Sequence, residues 1–333
     1  MRLQLAYLIC FLSFSPVSYC LNKDNNALAH STTSELIDFY QHQNVDSNGV
    51  NIHYLESGKG QVMVFLHGYP FYGLSWDKLL RPFSASYHVV APDNRGYNLS
   101  DKPSKVDEYK LSKLVGDVVA LANKVSPKQK IILVGHDWGG ALAWTFAQLH
   151  PERVDKLIVL NAPPLNVLLN NLQNDPEQQK ASAYMDILKS GKVEAMFRQT
   201  GPDMLWNYGF NKLYEAGNLD DVFKQGFYSA WQQVEALTSA LNWYRANIPP
   251  FDKIDDDSYF PAKSTRVSVP SLLIWTEHER TFSRSSIEKT AELADNLKIE
   301  WIMDSGHSPF LDKAEQVVTL ITNFLKVDDS EIH

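Results

Sequence analysis

Cysteine is absent after position 20 of this 333-residue chain; its only two, Cys10 and Cys20, lie within the first twenty residues. The remainder therefore has neither a disulfide framework nor a thiolate metal site. Positive charge is also scarce. The 31 Lys and Arg are outnumbered by 39 Asp and Glu, for a net charge of -8. The basic residues form no patch suited to phosphates, which argues against a nucleic-acid partner. There is no internal repeat or low-complexity stretch, and no long hydrophobic run outside the first twenty residues. In that run Arg2 is a minimal positive region, residues 3–14 are apolar, and Ser18 and Cys20 are small residues at the -3 and -1 places of a cleavage site. The apolar core is short for a bilayer span. The expectation is a cleaved signal peptide over residues 1–20 and a secreted or periplasmic protein with no stable membrane span. An uncleaved segment that tethers the chain to a membrane is the alternative. Residues 21–34, rich in Asn, Ser and Thr, read as a flexible lead-in.

What is present is alternation. Asn48-Gly49 between alternating segments predicts a hairpin. Short apolar runs at 61–66, 88–91, 130–134 and 156–160 are then separated by helical patterns at 111–125 and 138–149. Strands alternating with helices predict an α/β fold, a mostly parallel central sheet with helices on both faces. After Pro163-Pro164 the alternation stops. Residues 165–263 are helical in period and rich in aromatics, with polar breaks at 170–179 and 252–258. Alternation resumes with strands at 270–275 and 299–302 and a final helix at 309–325. The expected organisation is a sheet core from 35–164 and 264–327, an inserted helical cap over 165–263, and a tail at 328–333. A cap over the carboxyl ends of the strands would enclose a pocket.

Residues 133–140, Leu-Val-Gly-His-Asp-Trp-Gly-Gly, carry the chemistry. Gly135 and Gly139 flank Asp137 as glycines flank the nucleophile of a sharp strand-to-helix elbow. A carboxylate needs no base to deprotonate it at neutral pH, and it can attack an electrophilic carbon to form an ester. The competing reading of Asp137 is a helix N-cap. An elbow nucleophile predicts an acid and then a histidine downstream. His307 lies in a loop after the last strand, with Ser308 and Pro309 suited to N-cap and N1 of the next helix. The acid belongs just beyond Trp275, where Glu277 and Glu279 stand; Glu279 is favoured, and Asp304 is a weaker rival. Two backbone N–H groups are the expected oxyanion donors: Trp138 from the elbow helix and Tyr69 from the loop His67-Gly68-Tyr69-Pro70.

That loop, Asp93-Asn-Arg-Gly-Tyr-Asn-Leu-Ser-Asp-Lys-Pro103, Gly135-His-Asp-Trp-Gly-Gly140, Leu241-Asn-Trp-Tyr-Arg245 and Ser305-Gly-His-Ser-Pro309 together resemble the epoxide hydrolase branch of the α/β-hydrolase family, from about residue 35 to 325. The resemblance implies that Asp137 opens an epoxide, that Tyr244 protonates the leaving oxygen, and that His307, oriented by the acid, activates water to hydrolyse the ester. A small epoxide and water are thus the expected partners, and cap aromatics such as Trp206, Tyr208, Trp231 and Trp243 suggest that the substrate is apolar; nucleophile, acid and water suffice, so no metal or organic cofactor is expected. Tyr244 also follows a helical stripe with Trp231, Val234, Leu237 and Leu241, so a packed core tyrosine is its competing reading.

Three departures stand out. Glu279 occupies a place that usually holds Asp, and its longer arm still reaches a histidine. Asn98 stands where a second glycine is common, and Asn visits the left-handed region readily. Relatives often use a second cap tyrosine; here the register puts Asp186 nearest that place, with Tyr184 about 200° away around a helix. Tyr184 is the candidate second donor.

Haloalkane dehalogenases are similar and share the aspartate nucleophile, and Trp138 fits their halide donor. Tyr69 replaces their usual asparagine, however, and a halide leaves without a proton, which would give Tyr244 no task. Haloacid dehalogenases that act on fluoroacetate carry Arg after the nucleophile. A noncatalytic small-molecule-binding protein on the same fold is the alternative from another class.

Overall fold

The computed structural model describes residues 39–326. The expected signal segment and lead-in, both cysteines and the tail at 328–333 lie outside the described residues. The first feature is a hairpin, β1 (Gln41–Ser47) and β2 (Val50–Ser57), turned by Asn48 and Gly49, both left-handed at φ 53° and 83°. Paired left-handed residues give the turn whose twist matches its strands.

Next come β3 (Val62–Leu66), α1 (Asp77–Ser84), β4 (His88–Pro92), α2 (Leu111–Val125), β5 (Ile131–His136), α3 (Trp138–Leu149) and β6 (Val154–Leu160). After a helical insertion, the chain closes with β7 (Ser271–Thr276), α12 (Ser285–Leu293), β8 (Leu297–Ile302), α13 (Pro309–Asp312) and α14 (Ala314–Lys326). The eight strands form one sheet in the order β1-β2-β4-β3-β5-β6-β7-β8. β1 pairs with β2 and β2 with β4 antiparallel; every other pairing is parallel.

Every residue of β3, β5 and β7 is buried, as expected of strands with helices on both faces. The β8 edge carries a Lys298–Glu300 ion pair at 3.0 Å, and charge of this kind discourages strand addition. Because β3, β5, β6, β7 and β8 run parallel, their carboxyl ends share one edge of the sheet. The loops that leave that edge contain Tyr69, Asp137, Asn161, Glu279 and His307.

The insertion between β6 and β7 holds eight helices: α4 (Leu165–Asn174), α5 (Pro176–Ala181), α6 (Tyr184–Lys189), α7 (Lys192–Thr200), α8 (Asp203–Gly209), α9 (Asn211–Glu215), α10 (Asp221–Trp231) and α11 (Ala236–Asn247). It docks on the sheet-side loops through the aromatic residues that made the segment conspicuous in the sequence. Trp231 Nε1 donates to Pro70 O at 2.7 Å and Trp243 Nε1 to Arg95 O at 2.9 Å, while Phe71 meets Phe210 and Phe227 edge-on.

Three local expectations are corrected. The stripe through Val234 is interrupted: Glu235 is left-handed at φ 61° between α10 and α11, and Val234 is 83% exposed. The stretch 170–179 is largely helical, breaking only at Asp175. Its Asn171 and Gln178 are fully buried, donating to Ser286 Oγ and Thr281 O. The last helix is two, parted at Lys313 (φ -128°, ψ 34°), and Ser308 holds the N-cap position without a side-chain capping bond. Among the described residues no helix is long and apolar enough to cross a membrane.

Candidate active site

The turn from β5 into α3 is tight enough to require its glycines. A Cβ on Gly139 would lie 2.0 Å from Leu66 O, and one on Gly135 would lie 2.5 Å from Gly139 O. Between them Asp137 takes φ 52°, ψ -124°, a conformation that a side-chain-bearing residue adopts at a cost of order 1–3 kcal/mol. Asp137 occupies the N-cap position, yet its carboxylate makes no capping bond. Instead Tyr69 N–H donates to Oδ1 at 2.9 Å, and Trp138 N–H also engages the carboxylate. Both backbone donors named from the sequence therefore face this side chain.

The loop carrying Tyr69 is held from behind. His67 Nδ1 donates to Gly68 O at 2.9 Å, while its Nε2 accepts the Asn94 N–H at 2.9 Å, a pairing that fixes the tautomer. Burial lowers the His67 pKa to about 4, so the ring is neutral and serves as scaffolding. Asn98, left-handed at φ 38°, keeps the next loop in place, with Nδ2 donating to Asp93 Oδ2 at 2.9 Å.

His307 bridges two carboxylates. Its Nδ1 lies 2.6 Å from Glu279 Oε2, and its Nε2 lies 3.6 Å from Asp137 Oδ2. Glu279 is fixed from its other oxygen by the N–H groups of Thr281 (2.5 Å) and Phe282 (3.3 Å). Glu277 and Asp304 are exposed, and Glu277 accepts the Asp304 N–H, so neither reaches the histidine. Burial disfavours the His307 charge, but the charge of Glu279 and the hydrogen bonds and charge of Asp137 outweigh it, raising the pKa to about 10. Burial likewise pushes the Asp137 carboxyl up, and the hydrogen bond and charge of His307 more than offset it, holding Asp137 below its usual value.

Both cap tyrosines reach this centre. Tyr244 is 3% exposed on α11, with its ring edge-on to Trp138 at 5.1 Å and to Tyr69 at 5.8 Å. Tyr184, at the start of α6, makes a side-chain hydrogen-bonding contact with Tyr244. Burial and then the Asp137 charge raise the Tyr184 pKa; burial, Tyr184 and Asp137 raise that of Tyr244. The register that put Asp186 nearest the second tyrosine place is corrected. Asp186 points outward, 69% exposed, to an ion pair with Lys189 at 3.1 Å.

Two residues that sequence reasoning did not single out hold the histidine loop. Asn161, left-handed at φ 43° after β6, donates through Nδ2 to His307 O at 2.9 Å, Gly306 O and Thr276 Oγ1, and its Oδ1 accepts the Thr276 N–H. His136 Nε2 donates to the same His307 carbonyl at 2.7 Å, and burial keeps this ring neutral, with a pKa of about 3. The only sequence signal for either was a polar residue at the end of an apolar strand. Glu277, His278 and Asp304 form the one group with metal-ligand spacing among the described residues, but it lies outside this site and its two carboxylates are exposed.

Residues 61–314 match the model of the α/β hydrolase fold family. The chain is 33% identical over 289 residues to the Bacillus subtilis AB hydrolase superfamily protein YfhM, covering 85% of this chain and 97% of that protein. It is 31% identical over 293 residues to epoxide hydrolase 3 of Xenopus tropicalis, covering 84% of this chain and 76% of the relative. The crystal structure of Bacillus megaterium epoxide hydrolase with an inhibitor superposes with a TM-score of 0.79 at 31% identity, over 86% of this chain and all of that one.

Proposed function

This chain belongs to the α/β-hydrolase-fold family, in its epoxide hydrolase-like branch, and on that premise we propose that it converts an epoxide to a vicinal diol through an ester on Asp137. The observation that carries the reading is the placing of the buried Tyr244 ring against Trp138 and Tyr69, the two residues that flank the Asp137 carboxylate, with the partly buried Tyr184 beside it.

In the first step an Asp137 oxygen attacks a ring carbon and the C–O bond breaks. The departing alkoxide is a poor leaving group; it takes a proton from the tyrosine pair, which regains one from solvent. Ester formation removes the Asp137 charge. Of the two anions that held the His307 proton, only Glu279 then remains, so the proton is released and Nε2 becomes a base. In the second step His307 takes a proton from water, which attacks the ester carbonyl carbon. The tetrahedral oxyanion is held by the N–H groups of Tyr69 and Trp138; as it collapses, the departing oxygen takes up the proton left on the carboxyl group, which frees the diol and restores the Asp137 carboxylate beside the protonated His307.

A pocket against Tyr69, whose N–H donates to Asp137, is also lined by Phe71, Leu205, Trp231 and Leu237, which supports an apolar substrate. A halide needs no proton on leaving, so a dehalogenase would have no use for the two phenols. Incubation with an aryl epoxide and, separately, a bromoalkane tests the reading: diol from the first is expected, and bromide from the second without diol from the first would overturn it. We also propose that the first twenty residues direct the chain into a secretory route, to be checked by sequencing the amino terminus of the exported protein.

A further inference from the structure

We propose that Arg245 is a positioning residue that sets the spacing of Tyr184 and Tyr244, and so governs epoxide opening without touching the substrate. The inference rests on the reading that these tyrosines supply the proton. Arg245 directly follows Tyr244 on α11, and successive helical residues point about 100° apart. While Tyr244 faces Asp137, the guanidinium faces the α6–α7 junction. Its Nε donates to Lys189 O at 3.2 Å, the carbonyl of the last residue of the helix that begins with Tyr184. Its Nη1 donates to Asn242 Oδ1 at 3.0 Å, and its Nη2 is ion-paired with Glu194 Oε1 on α7. Lys189 answers the contact, its Nζ donating to Ile248 O at 3.1 Å just beyond the end of α11. The helices carrying the two phenols are thus clasped in both directions at one point.

The clasp is well shielded, with the Arg245 side chain 18% exposed and that of Glu194 11%. Glu194 Oε2 is buried with no protein partner, so the carboxylate depends on this one guanidinium. Only a planar fork reaches a backbone carbonyl, an amide and a carboxylate at once; an ammonium in the same place is a point charge on a flexible stem.

The test uses the full chain with Arg245→Lys, which keeps the charge opposite Glu194 and loses the fork. A second variant, Arg245→Met with Glu194→Met, removes both charges so that none is left buried alone. Rapid-quench mass spectrometry of the Asp137 peptide resolves ester formation from ester decay. The expected result in both variants is ester formation slowed about 10- to 100-fold, the scale of a misplacement near 1 Å. Ester decay should stay at the wild-type rate and the Tm should stay within a few degrees. Unchanged ester formation would overturn the inference, and so would equal slowing of both steps, which marks general loosening. Wild-type protein that forms neither ester nor diol would remove the parent reading as well, an outcome distinct from normal wild-type turnover with an indifferent Arg245.

Discussion

Gly68 and Asp137 are pressed together so closely that the first can carry no side chain: a Cβ on Gly68 would lie 2.3 Å from Asp137 Oδ1 and 2.4 Å from its Cβ. The glycine of the His67–Pro70 loop thereby lets the Tyr69 N–H approach the carboxylate. Gly68→Ala should push the two apart and cost about 10²-fold in kcat/KM. Circular dichroism and steady-state assay of the same preparation check this, and a folded variant with wild-type kcat/KM would refute the tight-contact account.

Removal of the base should strand the intermediate. His307→Gln is expected to form the ester on Asp137 and fail to hydrolyse it, so the peptide gains the full mass of the epoxide. A mass spectrum of the incubated variant that shows only the unmodified peptide would count against covalent catalysis.

The acid can be assigned by contrast. Glu279→Gln leaves His307 without its charged partner and should slow ester decay by roughly 10²- to 10⁴-fold. Glu277→Gln, two positions earlier and exposed, should not. Equal losses in the two would put the acid elsewhere.

The phenols are expected to act on the first step alone. Tyr244→Phe should slow ester formation by about 10²- to 10⁴-fold, and Tyr184→Phe should do so less severely because its partner remains. The double variant should exceed either. Single-turnover rates decide, and a double variant no slower than wild type would assign both rings to packing.

Stability should depend on pH through His307 with a definite sign. Its folded pKa of about 10 lies above the unfolded value of about 6.5. The stabilising contribution is therefore complete below about pH 6.5 and is lost as pH rises through 10. Asp137, lowered on folding, contributes with the opposite sense: its share is present above the ordinary carboxylate range and disappears in acid. The Tm difference between wild type and His307→Gln should shrink from pH 6.5 to 10 in calorimetric scans. A constant difference would refute the assigned charge.

The fold and the sheet-borne half of the site were legible in the sequence for one reason. Parallel strands bring their carboxyl ends to a common edge, so elements far apart in the chain could be matched by strand order alone. That logic singled out Asp137, Glu279 and His307. It failed where no strand sets direction. α6 has six residues, too few for apolar spacing to fix which face is inward, so Tyr184 and Asp186 were assigned the wrong way round. Val234 fitted a helical stripe that a left-handed Glu235 interrupts. Asn161 and His136 act by donating to a carbonyl, and no periodicity marks such a donor. Asn171 and Gln178 read as surface breaks because polar residues usually are; here each spends its polar atoms on the loop and helix after β7.

The nucleophile rises from the sheet, whereas both phenols hang from the insertion that Trp231 and Trp243 pin down by their indole nitrogens. In the proposed reaction this division makes an interlock. Without the insertion Asp137 would keep its contacts with Tyr69 and His307, but an epoxide facing it would have no phenol proton waiting for it. The face that the sheet and the insertion share would therefore determine both which molecule is enclosed and whether its ring can open.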